Sequence, residues 1–155
     1  AGRIGRVEAP GRILRMATGG LVTWLVVSVL LVHPHYLAYF NALAGGPARG
    51  REWFVDSNLE WGQDLPILVE AGDHLGVGEF ELVHHWQSRP ARWGVPSRPA
   101  DPDGLRSGVY AATATDLSGT YWNGTRFQWL DDRTDLLHVG YAYWVFEVGG
   151  PEGRR

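Results

Sequence analysis

Leu21-Val22-Thr23-Trp24-Leu25-Val26-Val27-Ser28-Val29-Leu30-Leu31-Val32 is the stretch on which the architecture turns. Thr23 and Ser28 are its only polar residues, and neither is charged. The uncharged run begins at Met16, and residues 16–32 wound as a helix would cover about 26 Å, close to the roughly 30 Å of a bilayer's hydrocarbon core. No charge follows until Arg49, whereas Arg3, Arg6, Arg12 and Arg15 lie ahead of the run with Glu8 as the only acid among them. The pattern predicts a basic cytoplasmic segment over residues 1–15 and a transmembrane helix over 16–33, with everything beyond it outside the cytoplasm by the positive-inside bias. The expected membrane-interface residues are Trp24, His33, His35, Tyr36, Tyr39 and Phe40.

Three other readings compete for the same run. A buried core helix is one, although the arginine-rich flank and the lack of a polar stripe count against it. A secretory signal peptide also fits the basic leader, and Ala42-Leu43-Ala44 has the small-x-small form of a cleavage site. That triplet lies too far beyond Val32 for the usual arrangement. The third reading, which we favour, makes the chain an internal piece of a larger membrane protein, because it starts at Ala1 rather than methionine. Residues 3–15 would then be a loop between helices.

Tyr36, Tyr39, Phe40 and Leu43 recur at helical spacing, so residues 34–46 are expected to form an amphipathic helix along the membrane surface, ended by Gly45-Gly46. A continuation of the spanning helix, kinked at Pro34, fits nearly as well.

Composition sets the outer limits. The 155 residues suffice for one domain with attachments. With no cysteine, disulfide frameworks, zinc-thiolate sites and cysteine nucleophiles are excluded, and the net charge of -3 argues against a nucleic-acid partner. Eight tryptophans require burial, a stacking ligand or a membrane interface.

Residues 47–150, followed by a tail over 151–155, are expected to form a small extracytoplasmic mixed α/β domain. Predicted strands cover 51–55, 80–87, 108–115 and 139–148. A helix is expected over 63–75, with Asp64 as N-cap, Pro66 in its first turn, and Leu65, Leu68 and Val69 on one face. Residues 90–104 read as a proline-rich loop, and 127–132 as a single helical turn.

The chemistry concentrates in Asp56-Ser57-Asn58-Leu59-Glu60-Trp61-Gly62-Gln63-Asp64. Asp56, Asn58 and Glu60 alternate as in a calcium loop, but the glycine comes one place late and Ile67 stands where an EF-hand needs glutamate. What remains is a turn that offers carboxylates, amides and an indole. Such a surface suits a sugar, whose hydroxyls pair with polar groups while its apolar face stacks on a ring. We take Asp56, Asn58, Glu60, Trp61, Gln63 and Asp64 as candidate binding or positioning residues. The competing reading is a turn that satisfies itself, with Ser57 and Glu60 as a capping box and Asp64 as a further cap.

Here a resemblance enters. Residues 33–41 (HPHYLAYFN), Ala44-Gly45-Gly46-Pro47 and residues 56–65 (DSNLEWGQDL) resemble the C-terminal end of bacterial and archaeal polyprenol-phosphate-dependent membrane glycosyltransferases of the protein O-mannosyltransferase type. Weaker similarity runs through Trp93-Gly94-Val95-Pro96, Gly108-Val109-Tyr110-Ala111, Gln128-Trp129-Leu130 and Val139-Gly140-Tyr141, so it covers nearly the whole chain. Glu60 departs from the family's aspartate and keeps the acid. The resemblance implies a last membrane helix in the plasma membrane followed by an outward terminal domain, and a reaction moving a sugar from a polyprenyl-phosphate carrier to an acceptor hydroxyl. The implied partners are the lipid bilayer, the remaining membrane helices of the parent enzyme and the polyprenyl-phosphate-linked sugar. The family's catalytic carboxylates lie in an early loop that nothing here matches, so the resemblance implies no catalytic residue and no cofactor in this stretch; it implies binding or positioning. The alternative is a free-standing membrane-anchored carbohydrate-binding or accessory domain without catalysis.

Other constellations are weaker. Asp101-Pro102-Asp103 reads as a solvated turn rather than a metal-holding pair. His84 and His85 point to opposite strand faces and cannot share a metal. Asn123-Gly124-Thr125 is a glycosylation sequon.

Overall fold

The computed structural model describes residues 9–55, 59–84, 89–104, 106–120 and 126–149. Its first element, α1 (Ala9–Leu31), is an α-helix without an acidic residue. Arg12 and Arg15 therefore ride on its early turns instead of preceding it, and Arg15 returns its Nε to the carbonyl of Gly11 at 3.0 Å. Ser28 donates to the Trp24 carbonyl one turn back at 2.7 Å, which satisfies its hydroxyl on an otherwise apolar surface. Within α1, residues 11–31 are apolar and long enough to cross a membrane, a test a signal sequence would also pass; none of the most apolar window is buried against the rest of the chain. The helix is thus not the core helix of the domain that follows.

Beyond α1 the expected amphipathic helix does not form, and neither does a kinked continuation. Single 3-10 turns, Tyr36–Ala38 and Ala42–Ala44, are separated by extended Tyr39, with φ -66° and ψ 119°. Local chemistry sets these breaks: the Asn41 side chain accepts from the Ala44 N–H at 3.0 Å and restarts the turn, and Gly45, at φ +89°, ends it. The four regularly spaced apolar residues consequently share no face. Leu43 is 98% exposed, whereas Phe40 packs against the core.

The strand expected over 51–55 is also absent. Pro47–Glu52 is a 3-10 helix, and Gly50 is pressed so closely against Phe40 and Leu59 that a Cβ there would lie 2.7 Å from the Phe40 ring. The helix α2 (Leu65–Leu75) starts within two residues of the expected boundary, with Pro66 in its first turn and Gly76 closing it at φ +70°.

Five strands make one sheet, β1 (Phe80–Val83), β2 (Ser97–Pro99), β3 (Gly108–Thr113), β4 (Leu137–Val139) and β5 (Tyr143–Val148), in spatial order β2-β1-β3-β5-β4. β1 pairs in parallel with β2 and β3, while β5 runs antiparallel to β3 and β4. The architecture is a mixed α/β sheet behind an apolar N-terminal helix. Alternation sorts the core into two faces: Tyr110, Ala112, Trp144, Phe146 and Val148 on one side, with Ala111, Tyr143 and Val145 under Leu65, Leu68 and Ala71 of α2 on the other. Val69 is partly buried against that second cluster.

Several boundaries moved for visible reasons. The strand expected over 139–148 is a hairpin, because Gly140 takes φ +59° and turns the chain between Val139 and its partner Tyr143. β3 stops at Thr113, whose hydroxyl accepts from the Asp116 N–H at 3.1 Å and donates to its carboxylate at 2.8 Å, starting the one-turn helix α3 (Ala114–Leu117). The proline-rich stretch contains a 3-10 helix, Pro90–Trp93, and β2 itself, where Pro99 is tolerated because β2 is an edge. β1 ends at Val83; His85, Trp86 and Gln87 lie outside the described residues. The expected turn over 127–132 is the 3-10 helix Gln128–Leu130.

Candidate functional site

Of the six candidate positions on the acid-rich turn, Asp56 and Asn58 lie outside the described residues, as do Ser57 of the capping-box reading and the sequon at 123–125. Glu60, Trp61, Gln63 and Asp64 are placed, and they do different things. Glu60 is fully buried, and its Oε1 accepts from the Gly62 N–H at 2.7 Å and from the Tyr143 hydroxyl at 3.2 Å. Burial first, and the Glu60 charge second, push the Tyr143 phenol well above its ordinary range, so it stays protonated and donates. Gln63 bridges the turn, its Oε1 taking the Trp61 N–H at 2.7 Å and its amide nitrogen donating to the Leu59 carbonyl at 2.8 Å. Gly62, at φ +85°, supplies the bend.

Asp64 stands at the N-cap position but makes no side-chain bond to the helix. Its carboxylate is drawn away: Oδ2 accepts from the Tyr141 N–H at 3.2 Å, and Oδ1 lies 2.9 Å from His35 Nδ1. Gly140 is packed against this carboxylate so tightly that a Cβ there would collide with it. The reading of Asp64 as a cap is therefore corrected: it ties the start of α2 to the β4-β5 turn and to the segment leaving α1.

The pairing with His35 was not readable, because the partners stand 29 positions apart and His35 sits next to a proline in a stretch that reads as apolar. His35 also meets the Tyr141 ring edge-on, with centroids 5.3 Å apart. It is thus turned into the domain, as is Phe40, which stacks on Phe54 at 6.2 Å. Trp24, His33 and Tyr36 remain exposed, the last two stacked on each other at 5.5 Å, and Tyr39 is half-buried. Leu43, expected on the surface helix, is exposed with them, and two exposed apolar residues join them that sequence reasoning did not select: Trp53 and Phe54. Trp53 is fixed by donating its indole N–H to the Ala44 carbonyl at 2.8 Å.

Chemically, then, the turn presents one large group outward. Trp61 is 61% exposed, while the carboxylates beneath it are engaged by the chain's own donors. Among the described residues no three histidine, aspartate or glutamate side chains are grouped to hold a metal ion. Asp101 forms the expected turn, accepting from the backbone of Asp103 at 3.2 Å and of Arg106 at 3.1 Å. Comparison of the chain with protein-family models, with curated proteins and with solved structures finds no match.

Proposed function

We propose that this chain is the C-terminal part of an integral membrane glycosyltransferase that moves a sugar from a polyprenyl-phosphate carrier to an acceptor hydroxyl, and that this part binds or positions rather than catalyses. The observation that carries the reading is an adjacency. His35, just beyond the apolar helix, is bonded to Asp64, so the turn bearing Trp61 is held close to where the helix ends. A lipid-linked sugar phosphate has its headgroup at that height when the helix spans a bilayer. Trp61 is the stacking group, Gln63 braces the turn behind it, and Glu60 and Asp64 hold it from below; Asp56 and Asn58, a few positions earlier in the sequence, would supply hydrogen-bonding groups. In this reading the helix lies in the plasma membrane among the parent enzyme's other helices, and the sheet domain is extracytoplasmic.

Two experiments test it. The full reading frame, reconstituted with a polyprenyl-phosphate sugar and an acceptor, should transfer. Trp61→Ala should lower its rate at least about tenfold, equivalent to about 1.4 kcal/mol of lost binding, without moving its melting temperature. The 155-residue chain alone should stay at background. Transfer by the chain alone would put catalysis here, and an unaffected Trp61→Ala enzyme would remove the turn from the site. For topology, protease added to intact spheroplasts should digest the sheet domain; full protection would refute the outward placement.

A further inference from the structure

The 3-10 turn Ala42–Ala44 doubles back beside α1, and an apolar groove of about 300 Å³ lies between the two, lined by Leu21, Trp24, Asn41, Ala42 and Leu43. Leu21 and Trp24 share one face of α1 and stand well before its last residue, Leu31, which puts them about 15 Å and about 10 Å short of the helix end. The turn is therefore level with the middle of the apolar stretch over residues 11–31. Its central residue, Leu43, is 98% exposed. Trp53, whose indole N–H donates to the Ala44 carbonyl at 2.8 Å, adds a second exposed apolar group beside it.

We propose that this turn is a second membrane-inserted element of the chain, and that the groove behind it seats an acyl chain of a bilayer phospholipid. The length of α1 decides the first half. With the turn above the bilayer, only residues 11–20 would be left to cross it, about 15 Å of helix that includes Arg12 and Arg15, against a hydrocarbon core of about 30 Å. A spanning α1 thus carries the turn into the apolar layer. The turn suits that solvent, where backbone polar groups must find partners within the protein. The Ala44 and Gly46 N–H groups both donate to Asn41, the Gly45 N–H donates to the Ala42 carbonyl, and the Ala44 carbonyl takes the Trp53 indole. No residue from Met16 to Ala48 is charged. Charge returns with Arg49, whose stem lies against Gly45 while its Nε donates to Glu52 at 2.8 Å, the posture of a cation reaching out of an apolar layer.

The size of the groove decides the second half. One turn of a helix, about 10 Å across and about 5.4 Å long, displaces about 400 Å³, more than the groove holds, whereas an acyl chain is a single methylene wide. Four of the five lining residues are apolar, and the Asn41 side-chain oxygen is taken by the Ala44 N–H, which leaves little for a headgroup or a sugar to bond.

The proposal rests on α1 as a span, which is part of the reading above, and not on sugar transfer. Because the chain has no cysteine, Leu43→Cys, Val26→Cys on α1 and Leu75→Cys at the end of α2, all at exposed positions, each take one fluorescent label. The labelled chains, in vesicles of phosphatidylcholine with phosphatidylglycerol, are challenged with aqueous iodide and with a phospholipid bearing a doxyl group midway along its acyl chain. The labels at 43 and 26 should be quenched by the doxyl lipid at least about threefold more than the label at 75, and should be shielded from iodide. The Leu43→Cys label placed in the full reading frame, cleared of other cysteines, should keep its lipid quenching. Iodide access at 43 with lipid quenching at 26 would overturn the insertion and leave the span standing; iodide access at both would remove the span and the proposal with it. Lipid quenching at 43 that vanishes in the full reading frame would give the groove to another helix and overturn the acyl-chain assignment.

Discussion

Replacing Glu60 by alanine is expected to lower the unfolding free energy by about 3 kcal/mol, well beyond the roughly 1 kcal/mol of a lost helix cap. The carboxylate is fully buried and accepts from both the Gly62 N–H and the Tyr143 hydroxyl. Alanine would strand two donors away from water, each costing about 1–3 kcal/mol when unsatisfied. Glu60→Gln, which keeps an acceptor oxygen, should cost only about 1 kcal/mol. Urea unfolding of the chain in detergent micelles, followed by tryptophan fluorescence, measures both. A Glu60→Ala midpoint shift no larger than that of Glu60→Gln would show that the buried acceptor contributes nothing. This result also separates stability from function: read from sequence, Glu60 looks like a group whose loss should hurt transfer and spare the fold. Its burial predicts instead that the fold suffers too, which makes exposed Trp61 the residue on which function and stability can be told apart.

Glu81→Ala is expected to cost a similar amount, about 2–4 kcal/mol, for a different reason. Glu81 is a carboxylate buried on β1, only 1% exposed, and two arginines from different segments converge on it. Arg98 of β2 bonds it through Nε, and Arg106, just before β3, approaches at 3.2 Å. The acid thus clamps β1 to its neighbours on both sides, where the strands offer few rungs of their own. The Glu81 hydrogen bond holds the Arg98 guanidinium even more firmly protonated than usual. Arg106 is fixed as well, since its carbonyl accepts the Tyr110 hydroxyl at 3.0 Å. With glutamate removed, both part-exposed arginines return to water, so the loss comes from broken charge-assisted bonds and an unfilled volume. Glu81→Gln should recover about half, because it refills the volume and still accepts from Arg98. Equal midpoints for wild type and Glu81→Ala would mean that the parallel strands hold without the clamp.

Local signals were legible wherever neighbouring residues decide the outcome. The apolar run, Pro66 at the start of α2, and the strands β1 and β3 are each set by near neighbours along the chain, and all appear close to where they were expected. The misses share one cause. Spacing alone made residues 34–46 a helix and 51–55 a strand; a side-chain acceptor at Asn41, a left-handed Gly45 and the contact of Gly50 with Phe40 and Leu59 outweighed that weak preference. Gly140 likewise divided an apparently continuous strand.

By itself the sequence determined that this chain has an apolar N-terminal helix, a cysteine-free α/β domain, and a polar turn crowded with acids and amides. Only the tertiary structure decided which of those acids face inward. Glu60 meets Tyr143 across 83 positions and Asp64 meets Tyr141 across 77, so their partners come from the far hairpin. The same holds for Arg51 and Asp131, which pair across 80 positions. A carboxylate's role depends on whether water or a donor reaches it, and that is fixed by contacts between distant segments, which local periodicity does not encode.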